Sequence, residues 1–323
     1  MEKFTNKGSC LICGTSTKVY HQDYSGQDFC PDCFVEYIEK KIFKTISKYQ
    51  LLSTEDKIVV GLSGGKDSIT LLYNLKKIQD QTFGAKPLLA ISIDEGIGGY
   101  RKKSLEVAKH FCEKYDIEHK IESFKEHVGK SLDDIIAQFI NTKDYMNACN
   151  YCATFRRRLL NEIARKNKAT ILALGHNLTD IAETFLMNIL YKRFHLIAGQ
   201  YIFHEKNKNA QNYFIKKITP LMKIPEDEIL LYAKTKGLDF FESHCPYRVQ
   251  DPIIRKHVLD FIKKLKNQSP EIEFNLFNGF MELSEILNTS GKYKLQFNSC
   301  KECGYPTTNE ELCNYCSLKK EIS

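Results

Sequence analysis

The chain has 323 residues, 42% of them hydrophobic, and a formal net charge of +7, which suits one large soluble domain with small modules and fits a polyanionic partner without requiring one. No run approaches the ~18 consecutive apolar residues of a membrane span. The opening "MEKFTNKGSC" has no apolar signal region, so a cytoplasmic protein without a membrane partner is expected.

A cysteine set comes first. Cys10 and Cys13 form one Cys-x-x-Cys knuckle, with Gly14 behind it, and Cys30 and Cys33 form a second. Four soft thiolates supplied from two tight turns match tetrahedral zinc, and a disulfide framework is disfavoured in an intracellular chain. A zinc ribbon over residues 1–36 is therefore expected. The stretch "FVEYIEKKIFKTISKYQLL" follows, with apolar residues at helical spacing, and reads as an amphipathic helix leading into a core domain over 37–270.

That core domain alternates strand and helix. Strand-like runs are Lys57 to Leu62, Pro87 to Asp94, Ile117 to Phe124 and Ala169 to Gly175, and helical patterns lie near 67–80, 100–115, 130–141 and 154–167. The order predicts an α/β fold, a parallel sheet with helices on both faces. Ligands of such sheets bind at the carboxyl ends of the strands. The first strand runs into Ser63-Gly64-Gly65-Lys66-Asp67-Ser68, the second into "DEGIGGYR" and the fourth into "GHNLTD", so one pocket is expected to collect all three.

The first of these loops is built for phosphate. Its glycines permit close backbone approach, successive N–H groups can converge on one anion, and the helix that begins there adds its positive dipole end. It is not the Walker pattern, which needs four residues between a first Gly and Gly-Lys-Ser/Thr. It resembles the PP-loop of the ATP pyrophosphatases, which split ATP between its α and β phosphates and adenylate a substrate oxygen.

The remaining cysteines are distributed differently. Cys112 lies in the helical stretch "SLEVAKHFCEKYD" and reads as a small buried apolar residue. Cys149 and Cys152 form a third knuckle in "NACNYCATFRRRLLNEIARK", and Cys245 stands far downstream in "ESHCPYR". Three thiolates with an open position suit an iron-sulfur cluster with one unique iron, or else a redox pair plus a persulfide carrier. The segment 204–212 reads as a mobile loop. Cys300, Cys303, Cys313 and Cys316, with Gly304, repeat the ribbon pattern inside a closing segment over 271–323 and predict a second zinc.

The ribbon, "SGGKDS", "IDEGIGGYR", the Cys149–Cys152 knuckle, "GHNLTDIAET", "TPLMKIPEDEILLYA", "HCPY" and the closing ribbon stand in the order found in tRNA 2-thiouridine synthetases. Over nearly its whole length the chain resembles this TtuA-type family, which includes the cytosolic wobble-uridine thiolases of archaea and eukaryotes. The resemblance implies a PP-loop fold, a 4Fe-4S cluster on Cys149, Cys152 and Cys245, ATP contacts at Gly61, Arg156 and Gly175, and a functional acid at Asp180. It also implies tRNA as partner, a ubiquitin-like carrier or free sulfide as sulfur donor, and a homodimer. Ile93 and Asp94, at the end of the second strand, complete the expected nucleotide pocket. Two positions depart from the family: Thr179 stands where it usually has Asp, and Ala153 where it usually has Gly. "CATFRRR" and "DIAET" look closer to the wobble-uridine branch than to the thermophile T-loop branch.

The chemistry follows from the residues. Replacing a uridine carbonyl oxygen by sulfur requires a good leaving group, and transfer of AMP to that oxygen provides one. Pyrophosphate, accompanied by Mg2+, would leave against Gly64 to Ser68, with Lys66 offsetting its charge. Asp180 would orient the metal or assist proton transfer, and Arg156 would face the α-phosphate. Cys149 and Cys245 would hold the cluster or, in a cluster-free route, act as persulfide carrier and resolving thiol. Arg101 to Lys103, Lys192, Arg193, Lys216 and Lys217 are candidate contacts to tRNA phosphates. His176 reads as a satisfied structural histidine.

Overall fold

In the computed structural model, which describes residues 4–5, 8–139, 148–200, 213–247, 254–293 and 296–323, a short hairpin of β1 (Tyr20–Gln22) and β2 (Gln27–Phe29) opens the chain. It leads into α1 (Pro31–Lys48), whose proline occupies the first helical turn, where a missing N–H costs nothing. Then β3 (Ile58–Gly61), β4 (Leu89–Asp94), β5 (Glu118–Ser123), β6 (Ile171–Ala173) and β7 (Lys216–Ile218) form one parallel sheet in the order β5-β4-β3-β6-β7. The crossovers are α2 (Lys66–Gln81), α3 (Arg101–Lys114), then α4 (Phe124–Val128), α5 (Leu132–Phe139) and α6 (Ala148–Lys166), and after β6 α7 (Leu178–Leu190) and α8 (Phe194–Gly199). The chain continues through α9 (Glu226–Lys236), α10 (Ile254–Lys266) and α11 (Ile272–Thr289) to a second hairpin, β8 (Asn298–Ser299) with β9 (Pro306–Thr307), and α12 (Asn314–Glu321).

Period-two alternation of apolar residues gives the sheet two buried faces. Val60, Ala90, Ile171 and Ala173 enter one core with residues of α1, α2, α3 and α9, while Val59, Leu89, Ile91 and Leu172 enter another with residues of α4, α5, α6 and α12. Both cysteine modules are built into these cores. Tyr20 and Phe29 of the first hairpin join the first, and Leu318 of α12 with Ile322 behind it joins the second. Cys112 is 2% exposed within the first core, as its helical context predicts, and burial pushes its thiol up to about 12.

The strand order reverses between β3 and β6, since β4 and β5 lie to one side and β6 and β7 to the other. The loops leaving β3 and β6 diverge at this switch point, which is where doubly wound sheets bind ligands. Two glycines let the surfaces meet. Gly64 has φ +84°, and a Cβ there would lie 2.1 Å from the carbonyl oxygen of Ser104; a Cβ on Gly175 would lie 3.0 Å from the backbone of Asp67 and Ser68.

Several boundaries differ from the sequence expectation. The fifth strand, β7, was not expected, because it is three residues long and two of them are exposed lysines. Phe124 belongs to α4, since Ser123 and Glu126 form a capping box that ends the strand there. The helix expected over 154–167 covers Ala148–Lys166, so the Cys149–Cys152 knuckle lies within it. The loop 204–212 lies outside the described residues. Among the described residues, no helix is long and apolar enough to cross a membrane.

Gly64→Ala should therefore be tolerated poorly. Positive φ alone costs ~1–3 kcal/mol, and the contact with Ser104 adds to it, so thermal unfolding should come several degrees lower with ATP binding lost. Wild-type melting and nucleotide affinity in this variant would contradict the packing.

Candidate active site and cysteine centres

At the start of α2 the phosphate loop is prearranged by its own serines. Ser68 Oγ donates to the carbonyl of Gly65 at 3.0 Å and accepts from the N–H of Ser63 at 3.1 Å, while the N–H of Gly65 donates to Ser63 Oγ at 3.3 Å. Gly65 is the N-cap and provides no side-chain cap, so the first-turn N–H groups of α2 are left for an anion. Lys66 Nζ reaches Asp67 Oδ2 at 2.9 Å and Glu226 Oε1 at 3.0 Å. Burial opposes its charge, but the two carboxylates outweigh burial and raise the lysine above its usual range.

From the other side of the switch point, Asn177 Nδ2 donates to Asp67 Oδ1 at 3.0 Å and so ties the β6 loop to α2. Asp180 has a structural task. It closes a capping box with Asn177, accepting from the Asn177 N–H at 3.1 Å while its own N–H donates to Asn177 Oδ1 at 3.0 Å. Burial raises the Asp67 carboxyl, Lys66 and Asn177 oppose the shift, and the nearby Asp180 charge adds to it. Thr179 is buried, donating to Glu273 and accepting from the N–H of Glu226 at 3.1 Å, so it joins α7 to α11 and α9.

His176 differs from the expectation. It is an exposed side chain at the mouth of the cleft with no hydrogen-bond partner among the described residues, and so is not a satisfied core histidine. Crowding by protein, aided by Arg255, Arg156 and Arg157, lowers its pKa and favours the neutral ring, while Asp180 pulls the other way.

Arg101 differs too: it is 5% exposed and cannot track RNA. Its Nη1 donates to the carbonyl of Ser63 at 2.8 Å and to Ser104 Oγ at 2.9 Å, and its Nε donates to the carbonyl of Ile93 at 2.8 Å. Glu95, 4% exposed, pairs with it at 2.8 Å and also faces Arg156 Nη1 at 3.5 Å. In sequence Glu95 is not distinguishable from its neighbours in "DEGIGGYR", because only the fold reveals that it is buried between two arginines. Ile93 itself is a core residue, and Asp94 accepts from the N–H of Gly96 at 2.9 Å to shape the next loop.

Arg156 stands one helical turn beyond Cys152, and its side chain is 47% exposed, open to a ligand. Cys149, Cys152 and Cys245 are each half-buried, and Cys152 and Cys245 pack on the second core. Burial pushes the Cys152 thiol up to about 12, Arg156 opposes, and Glu95, Cys149 and Cys245 contribute in the upward direction, so the three sulfurs share one neighbourhood. They do not close around a single ion as tightly as the terminal sets do. Such a soft-donor set fits a multi-iron cluster. The Cys245 segment is anchored to the pocket: the Phe241 N–H donates to the Gly64 carbonyl at 2.8 Å, and Tyr247 OH donates to Asp133 Oδ1 at 2.6 Å.

The terminal sets suit a single ion. In each, all four sulfurs lie within 4.8 Å of one another. Cys13 and Cys30 are 3.6 Å apart and Cys303 and Cys313 3.7 Å, against the ~3.8 Å edge of a tetrahedron with Zn–S near 2.3 Å. Burial would raise the Cys10 thiol, but N–H groups of Cys13, Cys30 and Ile12 bring it down to about 6, and Cys300 is brought to about 6 in the same way by Cys313, Cys303 and Glu302. Both sets fit zinc ribbons.

A parallel sheet with an anion-ready loop at its switch point, and a cysteine triad beside that loop, defines a nucleotide-using PP-loop enzyme. Residues 35–261 match the family model of the PP-loop domain. The chain is 33% identical to the tRNA 2-thiolation protein NcsA of Haloferax volcanii, over 97% of this chain and 98% of that one. It is 32% identical to the tRNA-5-methyluridine(54) 2-sulfurtransferase of Pyrococcus horikoshii, over 93% and 91%. The structure of the U34-tRNA thiolase NcsA from Methanococcus maripaludis with its [4Fe-4S] cluster superposes with a TM-score of 0.81 at 34% identity, covering 98% of this chain and 96% of that one. The chain belongs to the tRNA 2-thiolation family of PP-loop enzymes.

Arg101→Met should test the buried clamp. Removing one partner of a buried ion pair costs ~3–5 kcal/mol, because Glu95 keeps its charge without the guanidinium. Denaturant unfolding should register that loss, and Glu95→Gln in the same background should recover part of it; unchanged stability in Arg101→Met would contradict the arrangement.

Proposed function

We propose that this protein is an ATP-dependent tRNA uridine 2-sulfurtransferase acting at the wobble uridine, with "CATFRRR" and "DIAET" favouring that branch over T-loop thiolation. The observation that carries the chemical reading is the bridge made by Glu95. One carboxylate contacts Arg101, which holds the phosphate loop, and Arg156, which neighbours the cysteine triad, so adenylation and sulfur delivery meet at one place.

In this reading Gly61, Ser63 to Ser68, Ile93, Asp94 and Gly175 frame the nucleotide. The N–H groups at the start of α2 and Lys66 take the β and γ phosphates, and pyrophosphate departs toward them. Arg156 steadies the α-phosphate as AMP passes to the uridine C2 oxygen. Asp67 and Asp180, two carboxylates that repel one another, offer the hard oxygen donors that suit Mg2+. Asp180 also holds or moves a proton near the leaving oxygen, and a neutral His176 can accept or donate one beside it. Cys149, Cys152 and Cys245 are the residues that would hold a 4Fe-4S cluster, which would supply a site for sulfur next to the activated carbon. The terminal sets would each hold one zinc.

Residues 1–36, 37–270 and 271–323 are read as ribbon, catalytic domain and closing ribbon segment. The partners are tRNA and a ubiquitin-like carrier or free sulfide, the working form is a homodimer, and the place is the cytoplasm.

Mass spectrometry of tRNA nucleosides from cells lacking the protein should reveal the loss of a 2-thiouridine, mapped to the wobble position. An unchanged nucleoside profile overturns the reading. Lys66→Ala should abolish tRNA-stimulated conversion of ATP to AMP with the fold intact. Asp180→Asn keeps an acceptor for the capping box, so it should fold normally yet lose ~10²-fold or more in rate if the acid works in the chemistry. Anaerobically purified protein should carry about four irons per chain, and Cys149, Cys152 or Cys245 to Ser should remove them. Full thiolation by iron-free protein would favour the persulfide route through Cys149 and Cys245.

A further inference from the structure

Arg158 lies two positions beyond Arg156 on α6, yet it has no part in the cleft. Its side chain is only 10% exposed, and apart from Nη1, which is buried without a hydrogen-bond partner among the described residues, the guanidinium is engaged. Nε donates to Glu162 Oε1 at 2.6 Å, Nη2 donates to Cys303 Sγ at 3.7 Å, and the guanidinium carbon stands 3.4 Å from the Tyr305 ring centroid. An ordinary i,i+4 pair on a solvated face contributes little. Here the charge is stacked on one residue of the C-terminal ribbon and hydrogen-bonded to a metal-ligand sulfur of the same ribbon.

That sulfur needs it. Four thiolates around a divalent zinc leave a net charge of about −2, which nearby N–H donors must offset. Cys300 Sγ accepts from the N–H of Cys313 at 3.3 Å, whereas Cys303 is the exposed ligand of its set and takes the guanidinium. Among the described residues, no side-chain cation hydrogen-bonds a sulfur of the N-terminal set.

The helix that carries Arg158 also carries Cys149 and Cys152. Cys152 lies ~9 Å up the same helix at 1.5 Å per residue. Below Arg158, Asn161 Nδ2 donates to Tyr305 OH at 3.3 Å, a second tie between ribbon and helix. We propose that Arg158 is a positioning residue that makes the C-terminal metal centre part of the mounting of the cysteine triad. Occupancy of the ribbon holds α6 in place, and α6 sets where Cys149 and Cys152 stand. The inference rests on reading the terminal sets as zinc sites and the triad as the cluster site.

The test uses the full chain. Zinc release to a chromogenic chelator is followed in wild type, Arg158→Met and Arg158→Lys, and mass spectrometry of alkylated cysteines locates the centre that opens. Iron per chain after anaerobic reconstitution, and alkylation of Cys149 and Cys152 in iron-free protein, are measured beside it. Arg158→Met should release the C-terminal zinc ~10- to 100-fold faster while the N-terminal zinc leaves at the wild-type rate. Iron loading should fall and alkylation of the Cys149–Cys152 pair should accelerate. Arg158→Lys keeps the charge without the planar stack and should fall between. Continued protection of buried Cys112 certifies the fold. If Arg158→Met fails that control, Tyr305→Leu, which removes the stack and the Asn161 bond but leaves the guanidinium free to reach Cys303, should give the same pattern at smaller size. Wild-type release of both zincs from a folded variant overturns the inference, as does accelerated C-terminal release with iron loading and alkylation unchanged. Wild-type protein holding fewer than two zincs overturns the ribbon reading itself, and two zincs without iron overturns the cluster reading.

Discussion

The site depends on one buried ion pair. Arg101 and Glu95 are both nearly inaccessible, and two charges taken out of water are tolerable only when each is paired and hydrogen-bonded. The guanidinium meets that condition with a fork of donors directed at Ser63, Ile93, Ser104 and Glu95. Two of those acceptors are backbone carbonyls at the ends of β3 and β4, so the pair fixes how the phosphate loop sits relative to the next strand. A lysine could not replace it, because a single ammonium lacks the planar set of divergent donors. Glu95 then has its second oxygen toward Arg156, and the loop that would hold phosphate and the helix that carries two of the cysteines become one electrostatic unit.

How much of this could be read from the residues depended on how local the cause was. Four of the five strands were legible, since their apolar runs alternate with helical spacing and each is bounded by turn residues. β7 was not, because "KKI" carries one buried side chain and owes its place to pairing with β6. The terminal ribbons were legible as spacing, and the separations of their sulfurs agree with it. Arg101 was misjudged because a basic residue beside glycines looks the same in sequence whether it faces solvent or a buried carboxylate. His176 was misjudged in the opposite direction. Asn177 and Leu178 beside it are buried, yet His176 itself is exposed in the turn after β6, within the influence of Asp180 and several arginines.

Neither ribbon is an appendage. Gln22 of the first hairpin donates to the buried Glu228 at 2.5 Å, and Tyr24 donates to the same carboxylate at 3.1 Å, joining that module to α9. Burial is the main force raising the Glu228 carboxyl, with Lys41 and its hydrogen bonds opposing. At the other end Tyr315 meets Phe155 edge to face at 5.5 Å, and Tyr151 OH donates to Glu321 at 2.6 Å, so α12 packs along the cysteine helix. A module attached in this way shares the stability of the core, and removing its ligands loosens more than a surface knuckle.

Lys66 shows how the charge of such a loop is held in place. Its ammonium is divided between Asp67 on its own helix and Glu226 at the start of α9, and both are partly buried. Those carboxylates keep the lysine charged despite desolvation, and because its pKa is raised, that state persists at every pH below the ordinary lysine range. In the proposed reading an incoming phosphate would compete with Glu226 for an ammonium that is already largely desolvated. Asp67 keeps its place, because Asn177 holds its other oxygen from across the switch point. In the proposed reading a phosphate would take the place of one carboxylate, and the bonds that shape the loop, from the Ser63 N–H to Ser68 and from Asn177 to Asp67, are already made.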